Sequence, residues 1–152
     1  MEKRTVRLIT RSPEETEAVG ARLAASLDGQ RFIAFYGTLG AGKTAFTRGL
    51  ASVLCPDAPV QSPTYTVINE YKRDGRAVLV HVDAYRVGDD DDLYSTGFYD
   101  CIEYPDCVTA VEWSENIPFA VPRDAVTVRI EHTGEEGCRA IVIEGLRGEL
   151  LP

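Results

Sequence analysis

The stretch that decides the fold runs from Arg31 to Thr44 and reads RFIAFY followed by GTLGAGKT. Apart from Arg31, residues 31–36 are apolar or aromatic, which is typical of a short buried strand. The next eight residues, Gly37–Thr44, fit the pattern G-x-x-x-x-G-K-[ST], and residues 42–54 have the composition of a helix. A strand, a glycine-rich turn and a helix in this order predict a phosphate-binding P-loop.

The chemistry of this loop predicts which residues hold a nucleotide. Glycines let backbone N–H groups turn toward phosphate oxygens, and the N-terminus of the following helix adds partial positive charge. The predicted nucleotide-binding residues of the loop are Gly37, Thr38, Leu39, Gly40, Ala41, Gly42, Lys43, Thr44 and Ala45. Within this set, we expect Lys43 to bridge the β- and γ-phosphates and the Thr44 hydroxyl to ligate Mg²⁺.

Two further apolar runs end in a carboxylate. Ala77–Asp83 reads AVLVHVD, and Cys107–Glu112 reads CVTAVE. In open α/β sheets, ligands lie beyond the carboxyl ends of the strands, so both acids are expected at the same edge as the loop. We predict Asp83 near the Mg²⁺, and Glu112 as a metal ligand, a water-positioning residue or a general base. His81 shares a strand face with Asp83, and a core role is the more typical one for such a histidine.

The segment Gln61–Tyr65 lies between the P-loop helix and the next strand. P-loop hydrolases often place in this position a hydroxyl that senses the γ-phosphate, and Thr64, stiffened by Pro63, is the candidate. An ordinary proline turn is the competing interpretation. The acidic run Asp89–Asp92 is interpreted as a solvated helix start, because four adjacent acids cannot all face one ion and because acids favour helix N-termini.

The remaining pattern predicts one α/β domain over residues 1–152, a P-loop NTPase-like sheet with flanking helices and β-hairpins. Thr5–Thr10 is expected to be a strand, and Ser12 followed by Pro13 predicts the start of a helix. A short helix is expected from the acidic run to Phe98. The predicted hairpins pair Tyr65–Tyr71 with Ala77–Asp83, and Ala125–Ile130 with Cys138–Glu144.

Composition and charge exclude several classes of protein. The chain carries 16 basic and 24 acidic residues, a formal charge of -8, and such a surface repels bare nucleic acid. No apolar run approaches the roughly 18 residues of a membrane helix. The N-terminal segment lacks an apolar export signal, so we expect a cytoplasmic protein with no membrane association. Free thiols are therefore expected at the four cysteines, Cys55, Cys101, Cys107 and Cys138.

Two familiar P-loop classes do not fit. A GTPase would carry an N/T-K-x-D motif after its second carboxylate strand, but the last lysine of the chain is Lys72. A small-molecule kinase usually has an arginine-rich lid, whereas the late arginines here are scattered. They are Arg123, Arg129, Arg139 and Arg147.

Taken together and in order, several motifs resemble one family. GTLGAGKT is followed by FTRG at 46–49, and then come SPTYTVINEY, HVDAYR and VEWSENIP. This series is similar to the bacterial TsaE family (also called YjeE), and the resemblance extends from about Thr5 to Gly145. Thr38 is a departure, because the family pattern usually has Asp there.

The resemblance implies an ATPase that uses ATP and Mg²⁺. Such proteins support formation of N6-threonylcarbamoyladenosine beside the anticodon of tRNAs that read ANN codons. They bind a TsaB–TsaD complex, so tRNA would be contacted only indirectly. By matching positions, Lys43 and Thr44 would hold phosphates and Mg²⁺, and Asp83 and Glu112 would complete the metal and water site. Thr64 would lie in a switch-like loop.

The resemblance also places Trp113 beside the site. Arg86 is the nearest candidate for an arginine finger, although a salt bridge inside the fold is its expected role. Two other functions remain open from the sequence: a phosphotransferase acting on a small hydroxyl substrate, and a nucleotide-gated binding module with negligible hydrolysis.

Overall fold

The computed structural model describes residues 4–37, 42–57, 60 and 67–152, and seven strands in these ranges form one sheet. The strands are β1 (Arg4–Thr10), β2 (Phe32–Gly37), β3 (Ile68–Arg73), β4 (Arg76–Asp83), β5 (Val108–Glu112), β6 (Val126–His132) and β7 (Arg139–Leu146). Their order is β1-β7-β6-β2-β5-β4-β3. The four central strands are parallel, and β3, β7 and β1 are antiparallel to their neighbours.

Both predicted hairpins are therefore present as β3–β4 and β6–β7. The helices are α1 (Pro13–Ser26), α2 (Lys43–Leu54), α3 (Asp90–Ser95) and α4 (Phe98–Cys101). The mixed α/β sheet with flanking helices confirms the predicted fold class. Within the described ranges, no helix has both the length and the apolar character needed to cross a membrane.

The helix starts show how local sequence sets the element bounds. Ser12 caps α1, since its hydroxyl oxygen accepts the backbone N–H of Glu15 at 3.1 Å, as the sequence predicts. Asp89 caps α3 in the same way through the N–H of Asp92. The single helix expected up to Phe98 is wrong, because Gly97 takes a left-handed conformation (φ 87°) that separates α3 from α4.

Side chains alternate across the central strands, so each face of the sheet has its own apolar core. On one face, Ile33, Phe35 and Leu79 pack with residues of α1 and α2. On the other face, Val80 and Val82 pack with Leu93, Phe98 and Cys101 of α3 and α4, a set that also includes Phe32, Ala34 and Val111. All four cysteines are free and buried, which confirms the expectation of free thiols.

Helices α1 and α2 meet backbone to backbone. A Cβ added at Gly49 would lie 1.9 Å from the backbone oxygen of Glu17, and one added at Gly20 would lie 2.1 Å from that of Phe46. Only glycine allows this approach. The close contact fixes α2, and therefore the helix start that follows the P-loop, against the rest of that face.

Candidate functional site

The P-loop begins where β2 ends at Gly37. This residue has φ 125°, and a Cβ on it would lie 2.2 Å from the backbone oxygen of Ile130 on β6. The chain can therefore turn here only with glycine. The predictions for Thr38, Leu39, Gly40 and Ala41 lie outside the described residues, as does that for Thr64.

Lys43 opens α2 and is almost completely buried, with 4% of its surface exposed. Its Nζ donates a hydrogen bond to the backbone oxygen of Gly37 at 3.2 Å and lies 4.9 Å from the centroid of the Trp113 ring. The preceding residue, Gly42, has no side chain to cap the helix. The ammonium group is thus held at the end of β2, and half-buried Thr44 follows it in the first turn.

The two predicted carboxylates come together at the same edge of the sheet. Asp83 and Glu112 are the last residues of β4 and β5, and they are paired in the register of these parallel strands. Asp83 Oδ1 also accepts the backbone N–H of Tyr85 at 3.0 Å, so this acid caps the turn after its strand as well. The sequence order alone had placed both acids at this edge.

His81 contacts one of these carboxylates. It has no exposed surface, and its Nε2 lies 2.6 Å from Oε2 of Glu112, which is 8% exposed. The expected buried position is confirmed, but the contact with Glu112 was missed by the sequence analysis. The alternation of β4 already puts His81 and Asp83 on one face, and this was the signal that could have indicated it.

The electrostatics of this edge favour a bound cation. Burial raises the pKa of Asp83 above its ordinary value, the Tyr85 hydrogen bond opposes this shift, and the nearby Glu112 charge adds to it. His81 and Lys43 lower the pKa of Asp83 by smaller amounts. When Asp83 is ionised, its charge is partly removed from water and lies near a second acid. A divalent ion would stabilise the carboxylate in this state.

The donor atoms here suit Mg²⁺, a hard ion that prefers oxygen ligands and keeps several waters. Two carboxylates from neighbouring strand ends and the hydroxyl of Thr44, two residues into α2, are the oxygen donors that the described part of the site offers. They therefore fit the metal, and Lys43 supplies the charge that phosphate oxygens need.

A loop after β5 braces this arrangement. Trp113 has a left-handed backbone (φ 60°), and its ring packs against Tyr85 at 5.0 Å between centroids. Asn116, in the short 3-10 helix Ser114–Asn116, donates through Nδ2 to the backbone oxygens of Ala84 at 3.0 Å and Tyr85 at 3.2 Å. Asn116 thus ties the end of β4 to the loop after β5, a role that the sequence analysis missed.

Two other charged features lie outside this arrangement. Arg86 is exposed and forms no ion pair with any carboxylate in the described ranges, so its expected salt bridge is absent there. Asp89–Asp92 form the exposed start of α3, as predicted. Nor do the described residues contain a group of three or more histidine, cysteine or acidic side chains placed to hold a metal ion by themselves.

The fold and the site together define a class of protein. The sheet is mixed with four parallel central strands, and β2 leads through glycine to a helix that begins with Lys-Thr, with an acid at the end of β5 and of β4 beyond it. These features define a P-loop NTPase-like α/β fold.

Comparison with known proteins narrows this class to one family. The family described as "Threonylcarbamoyl adenosine biosynthesis protein TsaE" matches residues 10–141. The chain belongs to the TsaE family, whose members are involved in tRNA threonylcarbamoyladenosine biosynthesis.

Individual relatives agree with this assignment. The Treponema pallidum TsaE is 32% identical over 125 residues, which cover 82% of this chain and 90% of that protein. The Bacillus subtilis TsaE is 36% identical over 128 residues, covering 84% and 78%. The crystal structure of Bacillus subtilis YdiB superposes with a TM-score of 0.70 at 29% identity, covering 96% of this chain and 88% of the other.

Proposed function

We propose that this protein binds ATP with Mg²⁺ and hydrolyses it, and that the hydrolysis supports formation of threonylcarbamoyladenosine in tRNA by a TsaB–TsaD complex. The observation that carries the proposal is the meeting of four groups at one sheet edge: the buried Lys43 ammonium, the Trp113 ring, and the carboxylates of Asp83 and Glu112. Membership of the TsaE family supplies the biological context.

Each group has a defined task in this proposal. Lys43 neutralises the β- and γ-phosphate oxygens, and Thr44 and Asp83 hold the metal, directly or through water. When bound, Mg²⁺ supplies positive charge to the same oxygens. A water oxygen bonds to the γ-phosphorus while the bond from that phosphorus to the bridging oxygen breaks. That oxygen leaves on ADP, and the water protons go to the released phosphate and to solvent.

Glu112 orients the attacking water. His81 engages its Oε2, so we assign Oε1 to the water. Arg86, the candidate arginine finger, is exposed, and in the described part of the chain its side chain forms no hydrogen bond or ion pair with Asp83 or Glu112. We propose that the isolated chain hydrolyses ATP slowly and that a protein partner accelerates the reaction by completing the charge stabilisation.

The partner assignment agrees with the charge of the chain. A net charge of -8 disfavours a direct grip on RNA, so we propose that the protein docks on the TsaB–TsaD complex and meets tRNA only through it. The proposed location is the cytoplasm, where tRNA is modified.

The test measures phosphate release from ATP with and without TsaB–TsaD, for the native chain, Lys43→Ala and Glu112→Gln. We expect slow release that the complex stimulates, and a loss of about 100-fold or more in each variant. Lys72→Ala and Glu103→Gln, which change exposed residues of the same types, serve as matched controls.

Other outcomes would select other functions. A phosphorylated small molecule in place of free phosphate would indicate a phosphotransferase. Tight ATP binding without phosphate release, even with the complex present, would indicate a nucleotide-gated binding module. Brisk release that ignores TsaB–TsaD and survives Glu112→Gln would contradict both the partner and the role of Glu112.

A further inference from the structure

We propose that His81 is a positioning residue for Glu112: its Nε2–H holds one carboxylate oxygen so that the other is aimed at the attacking water. The proposal rests on the proposed function, because it explains how Glu112 keeps one orientation. It adds His81, a residue of β4, to the orientation of the attacking water, a task that the sequence motifs assign to Glu112 of β5 alone.

The contact is short and sheltered. Nε2 of His81 and Oε2 of Glu112 are 2.6 Å apart, with 0% and 8% of the two residues exposed. A hydrogen bond to an ionised acceptor is stronger than one between neutral groups, and shielding from water strengthens it further. Glu112 is therefore held by a bond with which solvent competes little.

The chemistry of the pair fixes which atom donates. An ionised carboxylate can only accept hydrogen bonds, so His81 must carry a proton on Nε2. Its other ring nitrogen, Nδ1, is buried and has no hydrogen-bond partner among the described residues. A bare lone pair there is less costly than an unsatisfied N–H, so the proton of the hydrogen bond to Glu112 is assigned to Nε2.

A role in packing alone does not account for this histidine. The same sheet face carries Leu79 two residues earlier on β4, and Ala110, on β5, is the register partner of His81. A branched apolar side chain would fill such a position without burying an unpartnered nitrogen. What the imidazole adds is the single hydrogen bond to Glu112.

The position of His81 suits it to this task. His81 lies on β4, which pairs with β5 on one side and with β3 on the other. Hydrogen bonds to two neighbouring strands therefore hold the backbone of His81 in place. Glu112, in contrast, is the last residue of its strand and leads directly into the left-handed Trp113. A rigid donor thus restrains an acceptor at a strand end.

The first experiment detects the hydrogen bond by NMR and does not depend on ATP hydrolysis. The chain has two histidines, and His132 is exposed, so histidine ¹⁵N-labelled protein gives two ring systems that His132→Gln assigns. At mildly alkaline pH, we expect Nε2 of His81 to carry the proton and its signal to shift in Glu112→Ala. An Nε2 without a proton, or a signal indifferent to Glu112→Ala, would overturn the proposal.

The second experiment measures ATP hydrolysis and ADP affinity in His81→Leu and His81→Gln. Loss of the donor in His81→Leu should lower the hydrolysis rate about 10- to 100-fold with nucleotide affinity unchanged. The amide of His81→Gln can donate from about the same place and should restore most of the rate. Val80→Ala creates a cavity on the opposite face of the same strand and is the control for a general packing effect.

A double-mutant cycle shows whether the effect passes through Glu112. If His81 acts by positioning, adding His81→Leu to Glu112→Gln should cost no further rate. Equal losses in the native and Glu112→Gln backgrounds, or no rescue by His81→Gln, would overturn it. If the native chain hydrolyses no ATP, the proposed function fails, whereas the ring signals still decide whether the hydrogen bond exists.

Discussion

On one face of the sheet, α1 and α2 approach each other through glycines, whereas on the other face α3 and α4 are held by aromatic side chains. Strands β4 and β5 contribute to both faces. At the ends of these strands, the residues on the α3–α4 side are apolar: Val80 and Val82 on β4, and Val111 on β5. On the α2 side, Leu79 and Ala110 give way to His81, Asp83 and Glu112.

The difference teaches where this fold can carry polar chemistry. We call His81, Asp83 and Glu112 the polar row. It begins where the strands reach the start of α2, because Lys43 lies there, hydrogen-bonded to Gly37. On the opposite face, β4 and β5 end in Val82 and Val111, and a charge buried at such a position without a partner would be costly. We therefore expect substitutions on the α3–α4 face to change stability, and substitutions on the α2 face to change nucleotide binding or hydrolysis as well.

Breaking the α3–α4 face should give the largest loss of stability. Phe98 is fully buried and its ring meets that of Phe32 edge to face at 6.3 Å. Phe98→Ala should lower the free energy of unfolding by about 3–5 kcal/mol, since it removes a large buried side chain and leaves a cavity. Urea denaturation measures this, with Tyr94→Ala, at a residue 73% exposed, as the control that should change little. A loss below about 1 kcal/mol would contradict the buried packing of Phe98.

Breaking the contact of α1 with α2 should lower the free energy of unfolding by a smaller amount. In Gly49→Ala, the new Cβ would start 1.9 Å from the backbone oxygen of Glu17, so the helices must move apart. We expect a loss of about 1–3 kcal/mol in the same denaturation experiment. Because α2 begins with Lys43, nucleotide affinity should fall too, which distinguishes this variant from Phe98→Ala. Ser52→Ala, at an exposed position of α2, controls for the helix itself. Unchanged stability would show that the two helices are farther apart than described.

The smallest effect on stability is expected at Asp83, the half-buried residue of the polar row. Burial raises the pKa of Asp83, so its charge destabilises the fold, and Asp83→Asn should raise the free energy of unfolding slightly near neutral pH, because water screens this half-buried carboxyl. Below the unfolded pKa the native carboxyl is neutral in both states, so this gain should vanish as the pH falls below about 4.

The same variant should bind Mg²⁺-ATP more weakly, because it loses a charged oxygen donor. Denaturation across the pH range and nucleotide titration with and without Mg²⁺ measure the two effects. A variant that is less stable than the native chain at neutral pH would contradict the raised pKa of Asp83.

Much of this molecule could be predicted from local sequence. The cap at Ser12, the turn between β3 and β4, and the strand–glycine–helix order around Gly37 follow from residue types a few positions apart, and the structure contains all three. The division of α3 from α4 was missed, because a glycine after a helix can either end it or start another. Asp83 and Glu112 could be placed at one edge without a structure, because the carboxyl ends of parallel strands lie at the same edge of a sheet.

What the sequence by itself determined is therefore the P-loop, the two strand-end acids and, through its motifs, membership of the TsaE family. Only the tertiary structure decided that His81 bonds to Glu112, that Lys43 lies under Trp113, and that Asn116 braces the end of β4. These contacts join residues on different elements, up to 70 positions apart in the sequence. Local patterns fix the period and ends of each element, whereas the side chains that meet across elements depend on strand register and on how closely the helices pack.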